Sequence, residues 1–273
     1  MNKTNLLARY DKELRIHIMY PEARREVTKD IVRFVRPTPG MNFIGFTFAS
    51  ETELNRVIDQ QLEYFVPLTQ PFTWKVYEHD LLPSLRAKLA SRNFIEDEPG
   101  NIMLLDLNDA PAYLFQPTHA DIRRIYKREC LKDVITVLDK VYGNDNSWVY
   151  DRLGLHMQIP GYLSVYVAYV DDQPVSTAWT YFPKPNGHFA TLYGGSTLAE
   201  HRGKGLYTSL LSVRLNEISE RSHPFAIVEA GAMSKPIVAK HGFRHLTTVW
   251  DYAWNRNDIV QDIIPYHEIY ALD

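Results

Sequence analysis

One order of patterns occurs twice along this chain: a strand, a long amphipathic helix, a strand, a short helix ending in "NF" or "GF", and a last strand. In the first half the series runs through "MNFIGFTF" (41–48), then Leu54, Val57, Ile58, Leu62 and Phe65 at helical spacing behind a Ser50/Glu53 capping pair, and "FTWKVY" (72–77). A short helix follows, capped at Asp80, with Leu81, Leu82, Leu85 and Leu89 on its buried side and "RNF" at its end, and then "IMLLDL" (102–107). In the second half it runs through "HFATLYGGS" (188–196), a helix with Leu206, Leu210, Leu211, Val213, Leu215 and Ile218 turned inward, and "FAIVEA" (225–230). A short helix "SKPIVAKHGF" (234–243) and "TTVWDYAW" (247–254) complete it. Alternating strand and helix periods predict an α/β fold with a mixed sheet, and the duplication predicts two similar domains in tandem.

A length of 273 residues exceeds the roughly 100 to 200 residues of one ordinary domain, which agrees with that division. Two prolines and small polar residues in "NDAPAYLFQPTHAD" (108–121) mark the linker. The expected boundaries are residues 1–110, a linker at 111–122, and residues 123–273. Ahead of the first series, "IVRFVR" (31–36) reads as a strand joined to the next by a "PTPG" turn. Ahead of the second come a helix over 123–142 and the strands "LSVYVAYV" (163–170) and "PVSTAWTYF" (174–182), with "VDDQP" and "PKPNG" as hairpin turns.

Composition narrows the function. A formal charge of -3 argues against a nucleic acid or an anionic membrane as main partner. Cys130, the single cysteine, excludes an internal disulfide and a multi-cysteine zinc site, and reads as a small half-buried side chain. No two histidines stand at a metal-ligand spacing, so no metal is expected, and His156, His188 and His241 read as surface or packing residues. Charges scattered through the N-terminal residues leave no hydrophobic signal segment, and no apolar run approaches the ~18 residues of a membrane span. The expected location is the cytoplasm. The oligomeric state is open, a homodimer included.

The two halves differ at the junction between the first strand of the series and its helix. The first half has "ASETEL" (49–54), acidic and free of glycine; the second has "EHRGKGLYTSLL" (200–211). A helix N-terminus offers unsatisfied backbone N–H groups and about half a positive charge, enough to hold a phosphate without any side chain. A tight turn explains one of Gly203 and Gly205; the other is expected to let a ligand approach the backbone, while Arg202 and Lys204 add charge. The spacing fits neither the mononucleotide loop nor the dinucleotide loop, since Thr208 stands where the latter needs a third glycine.

With these residues the chain resembles the GNAT superfamily of acyl-CoA-dependent N-acyltransferases. Their Arg/Gln-x-x-Gly-x-Gly/Ala signature is met by Arg202 and Gly205, with Tyr207 departing from it at the last position. The short helix ending in "GF" is a second shared element, and the likeness covers roughly residues 125–254. The first half resembles a GNAT domain that has lost its cofactor loop. The resemblance implies that the backbone of Gly203, Lys204, Gly205, Leu206, Tyr207 and Thr208 holds the CoA pyrophosphate. It also implies that pantetheine lies along Ser196, Thr197 and Leu198, where the "GGS" run suits a bulged strand exit, and that Ser234 is the small residue that lets CoA pass.

Such a reaction needs a base, because an alkyl amine is protonated at neutral pH. Glu229 and Tyr193, on the strands that flank the expected split, are the catalytic candidates. At the register where many of these enzymes carry an acidic tyrosine this chain has Val238. No nucleophile motif is present, so direct attack on acetyl-CoA is the simplest mechanism. The expected function is N-acetyl transfer to a primary amine of a small molecule or peptide, in a groove bounded by Tyr181, Tyr193 and the irregular stretch 146–162. A non-catalytic acyl-CoA sensor or interaction protein is the alternative.

Overall fold

The computed structural model describes residues 1–36, 42–68 and 71–254; the "PTPG" turn (37–40), Met41 and the residues after Trp254 lie outside them. In chain order the elements are α1 (Lys3–Tyr10), a π-helical turn (Asp11–Ile16), β1 (Arg24–Val27), β2 (Ile31–Val35), β3 (Asn42–Thr47), α2 (Leu54–Phe65), β4 (Phe72–Tyr77), α3 (Leu85–Ala90), β5 (Ile95–Glu96) and β6 (Gly100–Asp106). There follow β7 (Asp121–Ile125), α4 (Leu131–Tyr142), α5 (Trp148–His156), β8 (Leu163–Val170), β9 (Gln173–Tyr181), β10 (Phe189–Thr197), α6 (Leu206–Glu220), β11 (Phe225–Ala230), α7 (Ser234–Lys240) and β12 (Arg244–Trp254).

The chain divides into two compact units, but not at the expected boundaries. Among the described residues, one holds 1–100 together with 246–254, and the other holds 101–245. Each is closed by a strand from the far half of the sequence. β6 pairs antiparallel with β11, from Phe225↔Asp106 to Ala230↔Asn101, and β12 pairs antiparallel with β4, from Val249↔Tyr77 to Trp254↔Phe72. A periodic pattern marks a strand without saying which sheet receives it, and β6, buried along five central residues, suits either.

The supposed linker is also packed structure. Leu114 is fully buried, and Ser212 on α6 donates its hydroxyl proton to the Leu114 carbonyl. The helix expected over 123–142 is a strand followed by a helix: β7 pairs with β8 from Asp121↔Tyr169 to Ile125↔Val165, and α4 begins only at Leu131. Ile125, expected on the apolar side of that helix with Val134, Val137 and Leu138, is instead the buried end of an edge strand. Asp80 does not cap α3; its carboxylate accepts from Arg15 and from the Tyr77 N–H, and Leu81 is 92% exposed. Glu53 does accept from the Ser50 N–H, and Asp171 and Asp172, at φ of 48° and 58°, form the β8–β9 turn.

Both units share one plan: antiparallel strands, a helical crossover to a parallel neighbour, a short helix, and a closing antiparallel strand. The parallel pairs are β3/β4 and β10/β11. In the second unit α4 and α5 cover one face, burying Val134, Leu138, Val149 and Leu153 against Val165, Val167 and Trp179. On the other face α6 and α7 bury Leu211, Leu215, Ile218 and Val238 against Ala190, Leu192, Ala226 and Val228.

Candidate active site in the second unit

β10 and β11 pair only at Phe189↔Phe225, Ala190↔Ala226 and Thr191↔Ile227, after which β10 continues for six residues and β11 for three without pairing to each other. The cause is visible on the other side of β10. Its register with β9 slips between Tyr193↔Trp179 and Ser196↔Thr177, so two glycines stand opposite Ala178. Gly194 has φ +60°, and a Cβ on it would lie 1.8 Å from Cζ3 of Trp179. Glycine is thus required there twice over, by backbone and by space, and the strand bends away from β11.

Beyond the bulge the backbone is oriented by its hydrogen bonds. The Ser196 carbonyl accepts from the Ser176 hydroxyl at 2.8 Å, and the Leu198 N–H donates to the Val175 carbonyl at 2.9 Å. Since N–H and C=O oppose each other across a planar peptide, the Thr197 N–H and C=O both point away from β9, toward the gap. The Thr197 carbonyl accepts from Arg202 Nε at 3.2 Å. Of the three expected residues, therefore, only Thr197 presents its N–H to an extended chain entering the split.

The loop behind the split differs from expectation in one respect. Gly203 and Gly205 both have positive φ, +73° and +79°, so both make the turn, and an added Cβ on either would meet open space within 4 Å. Gly205 is the N-cap of α6, and the first bond of the helix runs from the Ser209 N–H to the Gly205 carbonyl. Among the described residues, none of the six N–H groups from Gly203 to Thr208 meets a protein acceptor. Six free donors at the positive end of a 15-residue helix form an anion cradle. Lys204 is exposed beside them, whereas burial raises the Tyr207 phenol, with the Arg214 guanidinium opposing.

Tyr193 and Glu229 fall on one face. Thr191 and Ile227 are the last partners, and two residues further along each strand alternation brings Tyr193 and Glu229 to the same side, across the gap. Both are half-buried. The stretch 146–162, expected to be irregular, contains α5 on this face. It places His156, 2% exposed, with Nδ1 2.8 Å from the Tyr181 hydroxyl, and the Tyr181 ring meets the Tyr193 ring edge-on at 5.4 Å. His156, read from the sequence as a surface or packing residue, is here a packing residue. Ser234 is 1% exposed with its hydroxyl on the Gly231 carbonyl, and Val238 is fully buried, so neither contributes a proton donor. No group of metal-ligating side chains occurs among the described residues.

The same place in the first unit is closed. β3 and β4 pair as far as Ile44↔Trp74, and Arg15 fills the divergence beyond. Its Nε donates to the Gly45 carbonyl on one arm at 3.1 Å, and its terminal nitrogens donate to Asp80, just past the other arm, at 2.8 and 3.0 Å. The guanidinium also stacks 3.8 Å from the centre of the Tyr77 ring.

The chain has the fold of solved GCN5-related N-acetyltransferases, and the glycine loop belongs to its second unit alone. Solved structures share that fold along most of the chain. A GCN5-related N-acetyltransferase from Kribbella flavida superposes with TM-score 0.65 at 13% identity, covering 92% of this chain and 93% of its own. A tandem GNAT protein from the clavulanic acid biosynthesis pathway gives 0.60 at 14%, covering 87% and 84%. An acetyltransferase of the GNAT family from Colwellia psychrerythraea gives 0.55 at 12%, covering 92% and 96%. No protein-family model matches the sequence, and no curated protein does. No helix among the described residues is long and apolar enough to cross a membrane.

Proposed function

We propose that the second unit binds acetyl-CoA and transfers its acetyl group to a primary amine by direct attack. The observation that carries this reading is the row of six unengaged N–H groups from Gly203 to Thr208, set at the mouth of the β10/β11 split. Backbone donors that cost nothing to orient suit a pyrophosphate, and Arg202 and Lys204 add the charge that water-exposed diphosphates attract. From there the Thr197 N–H would donate to a carbonyl of an extended amide chain lying as an added strand. The thioester would then reach the face that holds Tyr193 and Glu229. A neutral amine attacks the carbonyl carbon, the C–N bond forms, the C–S bond breaks, and the sulfur leaves as thiolate. Glu229 is the proposed group that helps remove the amine's proton, and Tyr193 the one that orients the nitrogen.

The buried Val238 favours one rival, a protein that binds acyl-CoA without turning it over. Amine-dependent release of free thiol from acetyl-CoA separates the two. The acyltransferase predicts thiol release that disappears in Gly205→Asp, whose carboxylate would face the pyrophosphate; binding without thiol release on any amine would favour the rival.

A further inference from the structure

Three arginines and one lysine are buried among the described residues. Arg15 meets Asp11 and Asp80 at 2.7 and 2.8 Å, Arg36 meets Glu22 at 3.1 Å, and Lys75 meets Asp251 at 2.9 Å. Arg214 on α6, the most enclosed of the four at 1% exposure, meets no carboxylate among the described residues. Its Nε donates to the Leu210 carbonyl at 3.1 Å, one turn back along the helix, and its two terminal nitrogens find no acceptor there. Glu217, one turn further on, is engaged elsewhere. Its carboxylate takes the Ser164 and Tyr166 hydroxyls at 2.7 and 2.9 Å and the Arg124 and Arg221 guanidiniums at 3.1 and 2.6 Å. Burial of an unpaired charge is costly, and it pulls the Arg214 guanidinium down to about 10 without discharging it at neutral pH.

The surroundings define what could compensate it. The bond to Leu210 turns the guanidinium toward the first turn of α6, where the Tyr207 phenol also has no hydrogen-bond partner among the described residues. Beneath that stretch lies β9. Ala178, fully buried, packs with Leu206 and Leu210, so β9 offers only a methyl group where a larger side chain would fill the space. Thr180, two residues along on the same face, has a buried hydroxyl with no partner. A guanidinium, a phenol and an alcohol supply donors and no negative charge, between walls of Leu206, Leu210 and Ala178. One positive charge calls for one negative charge. A dianion would reverse the imbalance, and a carboxylate on an organic body would need an opening that 1% exposure denies.

We propose that the underside of α6 holds a halide-sized monoanion, with chloride as the physiological occupant, between the terminal nitrogens of Arg214 and the hydroxyls of Tyr207 and Thr180. The anion fastens the helix to β9 by giving the buried cation its missing counter-charge. The site is separate from the backbone cradle at the helix N-terminus, and it stands or falls independently of the acetyl-transfer reading.

The test uses the full chain in sodium chloride and in sodium gluconate at matched ionic strength, gluconate being too large for the site. With chloride at roughly ten times its dissociation constant, the second unit's unfolding midpoint should lie about 3–5 °C above its value in gluconate. Arg214→Met should erase that difference. Arg214→Gln, which keeps side-chain donors without the charge, should erase it as well and serves if the methionine variant does not fold. Crystals grown in sodium bromide should show an anomalous peak beside the Arg214 terminal nitrogens, a little beyond the ~3 Å of an N–H···O bond, and Arg214→Met should lack it. Equal midpoints in the two salts with no bromide at Arg214 would leave an ordered water only. A chloride effect that survives Arg214→Met would put the anion elsewhere. Either result overturns the inference.

Discussion

Replacing Gly194 by alanine probes the bulge that opens the split. Two separate costs are expected. The backbone sits at φ +60°, where an L-residue costs about 1–2 kcal/mol. The new methyl would also lie 1.8, 2.1 and 2.2 Å from three atoms of the six-membered ring of Trp179, which is 2% exposed and has little room to move. Overpacking of that kind costs roughly 1–3 kcal/mol, which brings the total to about 2–5 kcal/mol. Trp179→Leu removes the ring but not the backbone strain, so in that background Gly194→Ala should cost only the first term. The coupling between the two sites is then about 1–3 kcal/mol. Amide hydrogen exchange along β9 and β10, measured in wild type, both single variants and the double variant, reads the stability of this region directly. A Gly194→Ala protein within about 0.5 kcal/mol of wild type, the range of an unconstrained surface change, would refute the reasoning. An equal cost in both backgrounds would refute the steric half of it.

The plug in the first unit predicts an acid-sensitive contact. Burial raises the Asp11 carboxyl, but the His79 hydrogen bond and the Arg15 charge outweigh it and hold the group below its usual value of 3.8. A folded pKa lower than the unfolded one means stability that is complete above pH 4 and is lost as pH falls through the folded value. Asp11→Asn should therefore flatten the acid limb of the first unit's unfolding profile, and an unchanged limb would contradict this. Arg214 is 1% exposed with Nε on the Leu210 carbonyl and no carboxylate partner among the described residues, and burial pulls its guanidinium down to about 10. It remains charged at neutral pH, so Arg214→Met should leave thermal stability unchanged or raise it, by up to about 3 kcal/mol; a loss above about 2 kcal/mol would show an undetected partner.

Much of the second unit could be read from the sequence because its signals are local. The two glycines before a helix, the "GGS" bulge and the paired aspartates of the β8–β9 turn are each fixed by backbone conformation, which a short stretch of residues reveals. What escaped was non-local. Nothing in "IMLLDL" says that it completes the sheet of residues 189–230, nor in "TTVWDYAW" that it completes that of residues 42–77, because hydrophobic strands are interchangeable in pattern. The closing of the first unit depends on Arg15 meeting Asp80 across 65 positions. His156 packs as the sequence suggested, but its hydrogen-bond partner Tyr181 lies on a strand 25 residues further on and could not be read locally.

The central claim is that one unit of two carries a working acyl-CoA cradle. Calorimetric titration of acetyl-CoA into the full chain, freed of any co-purified CoA, tests it most directly. The account predicts micromolar binding at one site per chain, abolished by Gly205→Asp and unaffected by Asp11→Asn. Absence of binding, two sites per chain, or full affinity in Gly205→Asp would contradict it.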